Sequence, residues 1–402
     1  MANPSETMMA WPRQDGGKGI RNVVLVAYLV ECAHHVCTQI ARPFDPSDVQ
    51  VVGFSGCFPS DYGQEMMEAL CTHPNVGAVQ LVSLGCENFK KQKLAEVIRA
   101  TGRPVNLVTI QDTGGTLAAV DAGRDWVRRT QQALMDLPKV AMDVSELVIG
   151  TICGGSDATS GITGNPAAGR AFDLLVAEGA RCIFEETGEL IGCEHVMADR
   201  VADPALRPQI IETVNKAARY YAAMGYGSFS NGNATGGLST IEEKSLGAYA
   251  KSGQSPISGI LRPAEQAPEG GLYLLDVVPD GAPKYGYPNI NDNAEIIELI
   301  SCGAHAVIFV TGRGSVVGSA ISPVLKVCAN PETYQRMAAD MDVNAGKILT
   351  GRASLEEVGR EIYQALIGLG QGAVTRSEAL GHAEFVLTYK TARPVEPGCH
   401  AA

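Results

Sequence analysis

The chain has too little positive charge to bind a polyanion along its length. Against 44 Asp and Glu it carries 32 Lys and Arg, a formal net charge of -12. An extended nucleic-acid footprint needs clustered Lys and Arg to displace counterions, so that class is excluded. The opening MANPSETMMAWPRQDGG lacks the basic-then-apolar layout of a signal peptide, and no apolar run reaches membrane-spanning length. A cytoplasmic protein with no membrane association is expected. Eleven cysteines, an odd number scattered over 402 residues without a secretion signal, do not make a disulfide framework. No Walker loop, H-E-x-x-H or G-x-S-x-G is present, and no Rossmann G-x-G-x-x-G follows the first strand. No fixed-period repeat of the solenoid kind occurs.

What the chain does have is 45% hydrophobic residues with 45 Gly and 21 Pro, the profile of a loop-rich α/β protein with a sizeable core. Its length exceeds what one core usually supports. Four strand–loop–helix units come in succession, their strands at VVLVAYLV, VQVVGFSG, VGAVQLVSLG and PVNLVTI. This pattern predicts a parallel, doubly wound sheet in a first domain over residues 1–140. A second, larger α/β domain is expected over 141–390, with residues 391–402 as a loose tail. Three of the four strands run into loops that hold Cys32, Cys57 and Cys86, which the parallel topology would bring near one another. They are either small buried hydrophobes or ligands of an iron or an iron–sulfur cluster, with Cys153 as a fourth.

The segment TICGGSDATSGITGNPAAGR, residues 151–170, has too little bulk for core and too many polar groups for an idle turn. Its glycines allow close backbone approach to an anionic ligand. Ser156, Asp157, Thr159 and Asn165 add groups suited to a polyhydroxylated substrate or a hard metal ion. A second loop, GSFSNGNATGG, contains Asn233, and a helix from Thr240 to Ala250, capped by Ser239 with Glu242, carries Lys244. A third glycine loop holds Thr311 and Arg313. The acidic stretch ARCIFEETGELIGCEH gathers Glu186, Glu189, Glu194 and His195 around two glycines, an acid/base or metal-binding pattern.

Taken together, RQDGGKGIRN, CGGSDATSGITGNPAAG, GELIGCEH, GNATGGLSTIEEKSLGA, TGRGSVVG and DVNAGKILTG followed by LGHAEF resemble the motifs of the altronate/galactarate dehydratase family, in that family's order. The resemblance implies a hydro-lyase. A base takes the proton α to a carboxylate, and the 3-hydroxyl departs with help from a divalent metal, usually iron, as mononuclear Fe2+ or in a cluster. By the same resemblance Cys32, Cys57, Cys86 and Cys153 are metal candidates, and Glu186, Glu189, Glu194, His195 and Lys244 are acid/base candidates. Ser156, Asp157, Thr159, Asn165, Asn233, Thr311 and Arg313 are expected to bind a small hydroxy acid, with Arg313 or Lys244 facing its carboxylate. A second branch, the sulfolactate sulfo-lyases, expels sulfite by an analogous elimination, and the cysteine pattern resembles the sugar-acid dehydratases more than that branch. Members often begin with a small SAF-type domain, whereas this chain starts at the large domain. A separate small SAF-domain subunit is therefore expected, together with a homo-oligomer. The competing reading is a non-catalytic subunit that binds a sugar acid.

Overall fold

A computed structural model describes residues 7–224, 229–280 and 291–388. The expected tail over residues 391–402 lies outside the described residues. Within them are three sheets. β3 (Val23–Tyr28), β4 (Val49–Gly53), β5 (Val76–Ser83) and β6 (Val105–Thr109) make a four-stranded parallel sheet in the order β4-β3-β5-β6. β8 (Val148–Cys153), β9 (Arg181–Phe184), β10 (Ile257–Leu261), β11 (Gly271–Leu275), β12 (Ala306–Thr311), β13 (Val324–Cys328) and β14 (Val343–Asn344) make a seven-stranded one, again parallel, in the order β10-β11-β9-β8-β12-β13-β14. The mixed helix and parallel-sheet architecture is the α/β class expected.

Burial explains the apolar runs. Along β8, Val148 and Ile152 face one core while Ile149 and Cys153 face another, so the strand is covered on both sides. Val24 and Val26 of β3 pack beneath the helices at His34–Ala41 and Thr116–Met135. On its other face, Leu25 and Ala27 share a core with helices Asp61–Cys71, Lys91–Ala100 and Asp292–Ser301 and with Ile183, Val307 and Phe309 of the large sheet. The two parallel sheets therefore sandwich a common apolar layer. Helices Gly164–Ala177 and Leu355–Gly370 cover the far side of the large sheet.

Three features depart from the sequence reading. The opening segment, in which no strand was expected, forms β1 (Met8–Pro12) and β2 (Lys18–Gly19), which pair antiparallel with each other and, through β1, with β7 (Val140–Met142). Alternate inward residues of β1, Met8 and Ala10, are fully buried against the large sheet's core, a tertiary contact that no local pattern announces. RCIF, read as part of the acidic loop, is strand β9. The helix cap expected at Ser239 sits one residue later: Thr240 Oγ1 accepts from the Glu243 N–H at 3.2 Å, and the Glu243 carboxylate accepts from Ser239.

Asn75, fully buried in the turn before β5, joins the two units. Its Oδ1 accepts from the Ile20 and Arg21 N–H groups, and its Nδ2 reaches the His305 and Ile321 carbonyls and Ser322 Oγ. Replacing Asn75 by alanine strands several of these groups in the interior, so we expect a loss of about 2–4 kcal/mol in urea unfolding. A loss under ~0.5 kcal/mol would show that the staple is not needed.

Candidate active site

In the seven-stranded sheet the strand order turns at β8 and β12. The chain leaves β8 for β9 on one side, and later enters β12 on the other. Ligands of open α/β sheets bind in the crevice that opens at the carboxyl ends of such strands. Here that crevice receives Cys153 from the end of β8, Glu185 and Glu186 from the turn just after β9, and Thr311 from the end of β12.

Glu186 is the centre of the arrangement. It adopts φ 106°, a left-handed conformation rare outside glycine, and this turns its carboxylate back toward β8. Its Oε1 accepts from the Cys153 N–H at 2.7 Å, and its Oε2 accepts from the Cys153 thiol at 3.0 Å and from the Lys251 ammonium. Lys251 is fully buried, and its Nζ also lies 3.6 Å from Cys153 Sγ. Burial opposes the lysine charge, but the Cys153, Glu186 and Glu189 groups outweigh it and hold the ammonium above the usual lysine range. Burial and then the Glu186 charge push the Cys153 thiol well up, which keeps it neutral and donating.

A second pair lies alongside. Lys244, on helix Ile241–Tyr249, donates to Glu189 Oε1, while the buried Oε2 of Glu189 has no hydrogen-bond partner. Burial and the neighbouring Glu186 charge raise Glu189 to about 8 against the pull of Lys244. Asp292, pressed against Gly154, is raised to about 6 by burial and by Glu189. Glu185 and Glu295 are raised well above the carboxylate range by burial and by their acidic neighbours. The helix bearing Lys244 reaches the glycine loop because Gly161 and Gly247 touch: a Cβ at Gly161 would stand 2.6 Å from the Gly247 Cα. Between them opens a cavity of about 260 Å³ lined by Ser156, Asp157, Ser160, Asn165 and Lys244, with exposed Ile162 and Leu246 at its rim.

The other expected residues take varied places. Asn165 Nδ2 lies 3.6 Å from Cys153 Sγ, and its buried Oδ1 lacks a partner. Asp157 shapes the loop: its carboxylate accepts from Thr159, Ser160 and Asn330. Asn233 caps its own short helix and reaches the Ser156 carbonyl at 3.5 Å. Buried Thr311 accepts from the Gly314 N–H, and exposed Arg313 donates to the Gly232 carbonyl. Glu194 and exposed His195 stand on the short helix Glu194–Ala198, where Glu194 accepts from the Gly192 N–H. Lys251, Glu295 and the site role of Asp292 are absent from the sequence reading. The signal for Lys251 was available: it lies seven residues after Lys244, two helical turns along the same face.

Cys153, Glu186 and Glu189 place ligand atoms within 4.8 Å of one another, which no other trio of His, Cys, Asp or Glu achieves among the described residues. A sulfur and two carboxylates, one with an orphaned oxygen, fit a divalent cation of intermediate softness. Binding it would cost the thiol its proton. Cys32, Cys57 and Cys86 lie elsewhere, exposed at the carboxyl edge of the four-stranded sheet.

Two stability effects follow. Lys251→Met leaves Glu186 buried without its counter-charge and should cost about 3–5 kcal/mol in urea unfolding, with Glu186→Gln in the same chain restoring most of it. Because Asp292, Glu189, Glu185 and Glu295 bind protons more tightly folded than unfolded, their stabilising effect is complete below about pH 4. It is lost as pH rises through about 6 for Asp292 and about 8 for Glu189. Urea midpoints at a series of pH values test the sign; if the carboxyls act as described, the Glu189→Gln chain loses less stability on the alkaline side.

Two family models match the chain: "D-galactarate dehydratase/Altronate hydrolase, second domain" over residues 10–135 and "D-galactarate/Altronate dehydratase, C-terminal" over residues 144–393. The beta subunit of (2R)-sulfolactate sulfo-lyase from Chromohalobacter salexigens is 34% identical over 95% of this chain and 97% of its own length. Altronate dehydratase from Bacillus subtilis is 29% identical over 94% of this chain and 76% of its own length. Galactarate dehydratase (L-threo-forming) from Escherichia coli is 31% identical over 75% and 57% respectively. These relatives are carbon–oxygen or carbon–sulfur lyases, and the chain belongs to the D-galactarate/altronate dehydratase family.

Proposed function

We propose that the protein is a hydro-lyase that eliminates water from a small hydroxylated carboxylic acid, such as a sugar acid, and releases a 2-keto acid. The observation that carries this reading is the pair that Glu189 makes with Lys244, the lysine lining the cavity: a carboxyl raised to about 8 with one oxygen left unpartnered. A carboxylate of that basicity is matched to removing a proton near neutral pH. Glu189 takes the α proton. Lys244 and Lys251 stabilise the negative charge that spreads onto the substrate carboxylate, at no cost of reorganisation because both ammonium groups are already held in place. Ser156, Asp157 and Asn165 bind hydroxyl groups, and the 260 Å³ cavity suits a short acid. A divalent cation on Cys153 and Glu186, with Glu189 left free as the base, would supply Lewis acidity to the departing hydroxyl, iron by family resemblance. The electron pair from the broken C–H bond forms the enol, hydroxide leaves and is protonated to water, and the enol tautomerises to the keto acid.

A second reading is loss of sulfite in place of water, supported by the near full-length match to a sulfo-lyase subunit. The same base and cations serve, since only the leaving group differs. We further propose that a small partner chain covers the rim at Ile162 and Leu246. That relative is named as a subunit, and the altronate dehydratase extends beyond the matched region.

Keto-acid formation from altronate and galactarate, and sulfite release from sulfolactate, separate the readings when assayed with and without the partner. For the reactive substrate, kcat/KM should rise with pH through about 8, the acid limb of Glu189. Glu189→Gln should lower kcat by roughly 10²- to 10⁴-fold and abolish that limb. An unaltered profile in this variant would transfer the base role to another group.

A further inference from the structure

The elimination leaves one step without a donor, because the departing hydroxide must be protonated. Hydroxide is a poor leaving group, and an acid positioned at the departing oxygen is worth roughly 10²- to 10⁴-fold in rate. Most proton donors of the crevice are already committed. The Cys153 thiol and the Lys251 ammonium donate to Glu186, and the Lys244 ammonium donates to Glu189. Asp292, raised to about 6, is largely ionised at neutral pH. Glu185 and Glu295 hold their protons more tightly but are buried.

Tyr221 differs from all of these. It stands on helix Arg207–Met224, which packs against the turn Thr187–Leu190 that carries Glu189. Its ring lies on Gly188: a Cβ there would stand 2.1 Å from Cε2 and 2.7 Å from Oη, so glycine is what lets the phenol settle on the Glu189 turn. The ring is half-buried, and its hydroxyl has no hydrogen-bond partner among the described residues. Nor is that oxygen sealed from solvent, as Glu189 Oε2 and Glu185 Oε2 are. Other phenols are tied down. Tyr62 donates to Glu298 at 2.6 Å, Tyr363 to Glu178 at 2.7 Å, and Tyr273 to the Glu269 carbonyl at 3.0 Å. Burial first, and then the Glu295, Glu189, Glu185 and Glu186 charges, hold the Tyr221 phenol well above its ordinary value, so it keeps its proton at neutral pH.

We propose that the Tyr221 hydroxyl is the acid that protonates the departing 3-hydroxyl. The assignment rests on the reading of Glu189 as the base. The carbons that lose hydrogen and oxygen are bonded neighbours, so a base on one turn and an acid lying over that turn serve both. As the C–O bond breaks, its electron pair stays on oxygen, the phenol proton moves to that oxygen, and water leaves. Hydroxide is a stronger base than phenolate, so the transfer runs downhill. The Glu189 carboxyl, which holds the proton taken from the α carbon, then gives it to the phenolate. One proton thus passes from carbon to Glu189, to Tyr221 and to oxygen, and both groups are restored without an outside acid.

The test is Tyr221→Phe in the full chain, assayed on the hydroxy acid that the wild-type protein turns over and on its 3-fluoro analogue. Fluoride departs without taking a full proton, so its loss does not call on the acid. In the variant, kcat for water loss should fall roughly 10²- to 10⁴-fold with KM little changed, while fluoride loss is unaltered. The urea midpoint should stay at the wild-type value, because the hydroxyl has no partner to lose. Gly188→Ala, which drives the ring off the turn, should show the same split between the two leaving groups. Equal loss on both substrates, no loss on either, or a lowered urea midpoint in Tyr221→Phe would each overturn the assignment. Turnover of sulfolactate alone would do so too, since sulfite needs no proton to leave. Water loss that depends on Tyr221 but not on Glu189 would move the base role and keep the acid; dependence on Glu189 alone would remove only the acid.

Discussion

The crevice is organised by a charge pair sealed in the protein's interior. Taking an ammonium and a carboxylate out of water costs several kcal/mol per ion, and their attraction offsets this only if the remaining hydrogen-bonding capacity is also met. Glu186 meets it with the Cys153 N–H, the Cys153 thiol and Lys251. This requirement draws the β8 and β9 ends together with the turn at Ala250–Ser252, and tolerates a left-handed backbone at Glu186. Four further carboxyls crowd around the pair, and their raised proton affinities are the electrostatic consequence.

Such a site is enclosed because the sheets around it are covered by packed apolar side chains. The large sheet is covered on both faces, and its second face is shared with the smaller sheet through one apolar layer. Asn75 pins the two units at a point where backbone groups would otherwise be left unpaired. The pair is therefore held by elements that cannot relax independently, the condition under which a charged constellation remains preorganised for a developing negative charge.

Much of the fold was legible. Long apolar runs such as VVLVAYLV and VGAVQLVSLG read as buried parallel strands because both of their faces are covered, and their succession as strand–loop–helix units gave the parallel sheet. Short strands did not read. RCIF is four residues inside an acidic stretch, and MMAWP alternates only once its partner β7 is known. In the crevice, Glu186, Glu189, Lys244 and Cys153 were picked out by residue type and by neighbouring glycines. Lys251 was not, since its helical spacing from Lys244 places it on the same face but does not by itself tell a buried lysine from a solvated one.

The sequence by itself determined the α/β class, the succession of strands and glycine loops, and the family, because these depend on local patterning and on motif order. It also showed that three cysteines would be carried to one sheet edge, because parallel strands leave their loops on the same side. Which groups actually meet was decided only by tertiary structure. Cys153 lies with Glu186 and Lys251 while Cys32, Cys57 and Cys86 lie on another sheet, because strand order and sheet packing involve residues far apart in the chain. Burial likewise converts Glu189 from an ordinary carboxylate into a group raised to about 8. Proton affinity depends on surrounding charge and lost solvent, and neither is written in the order of the residues.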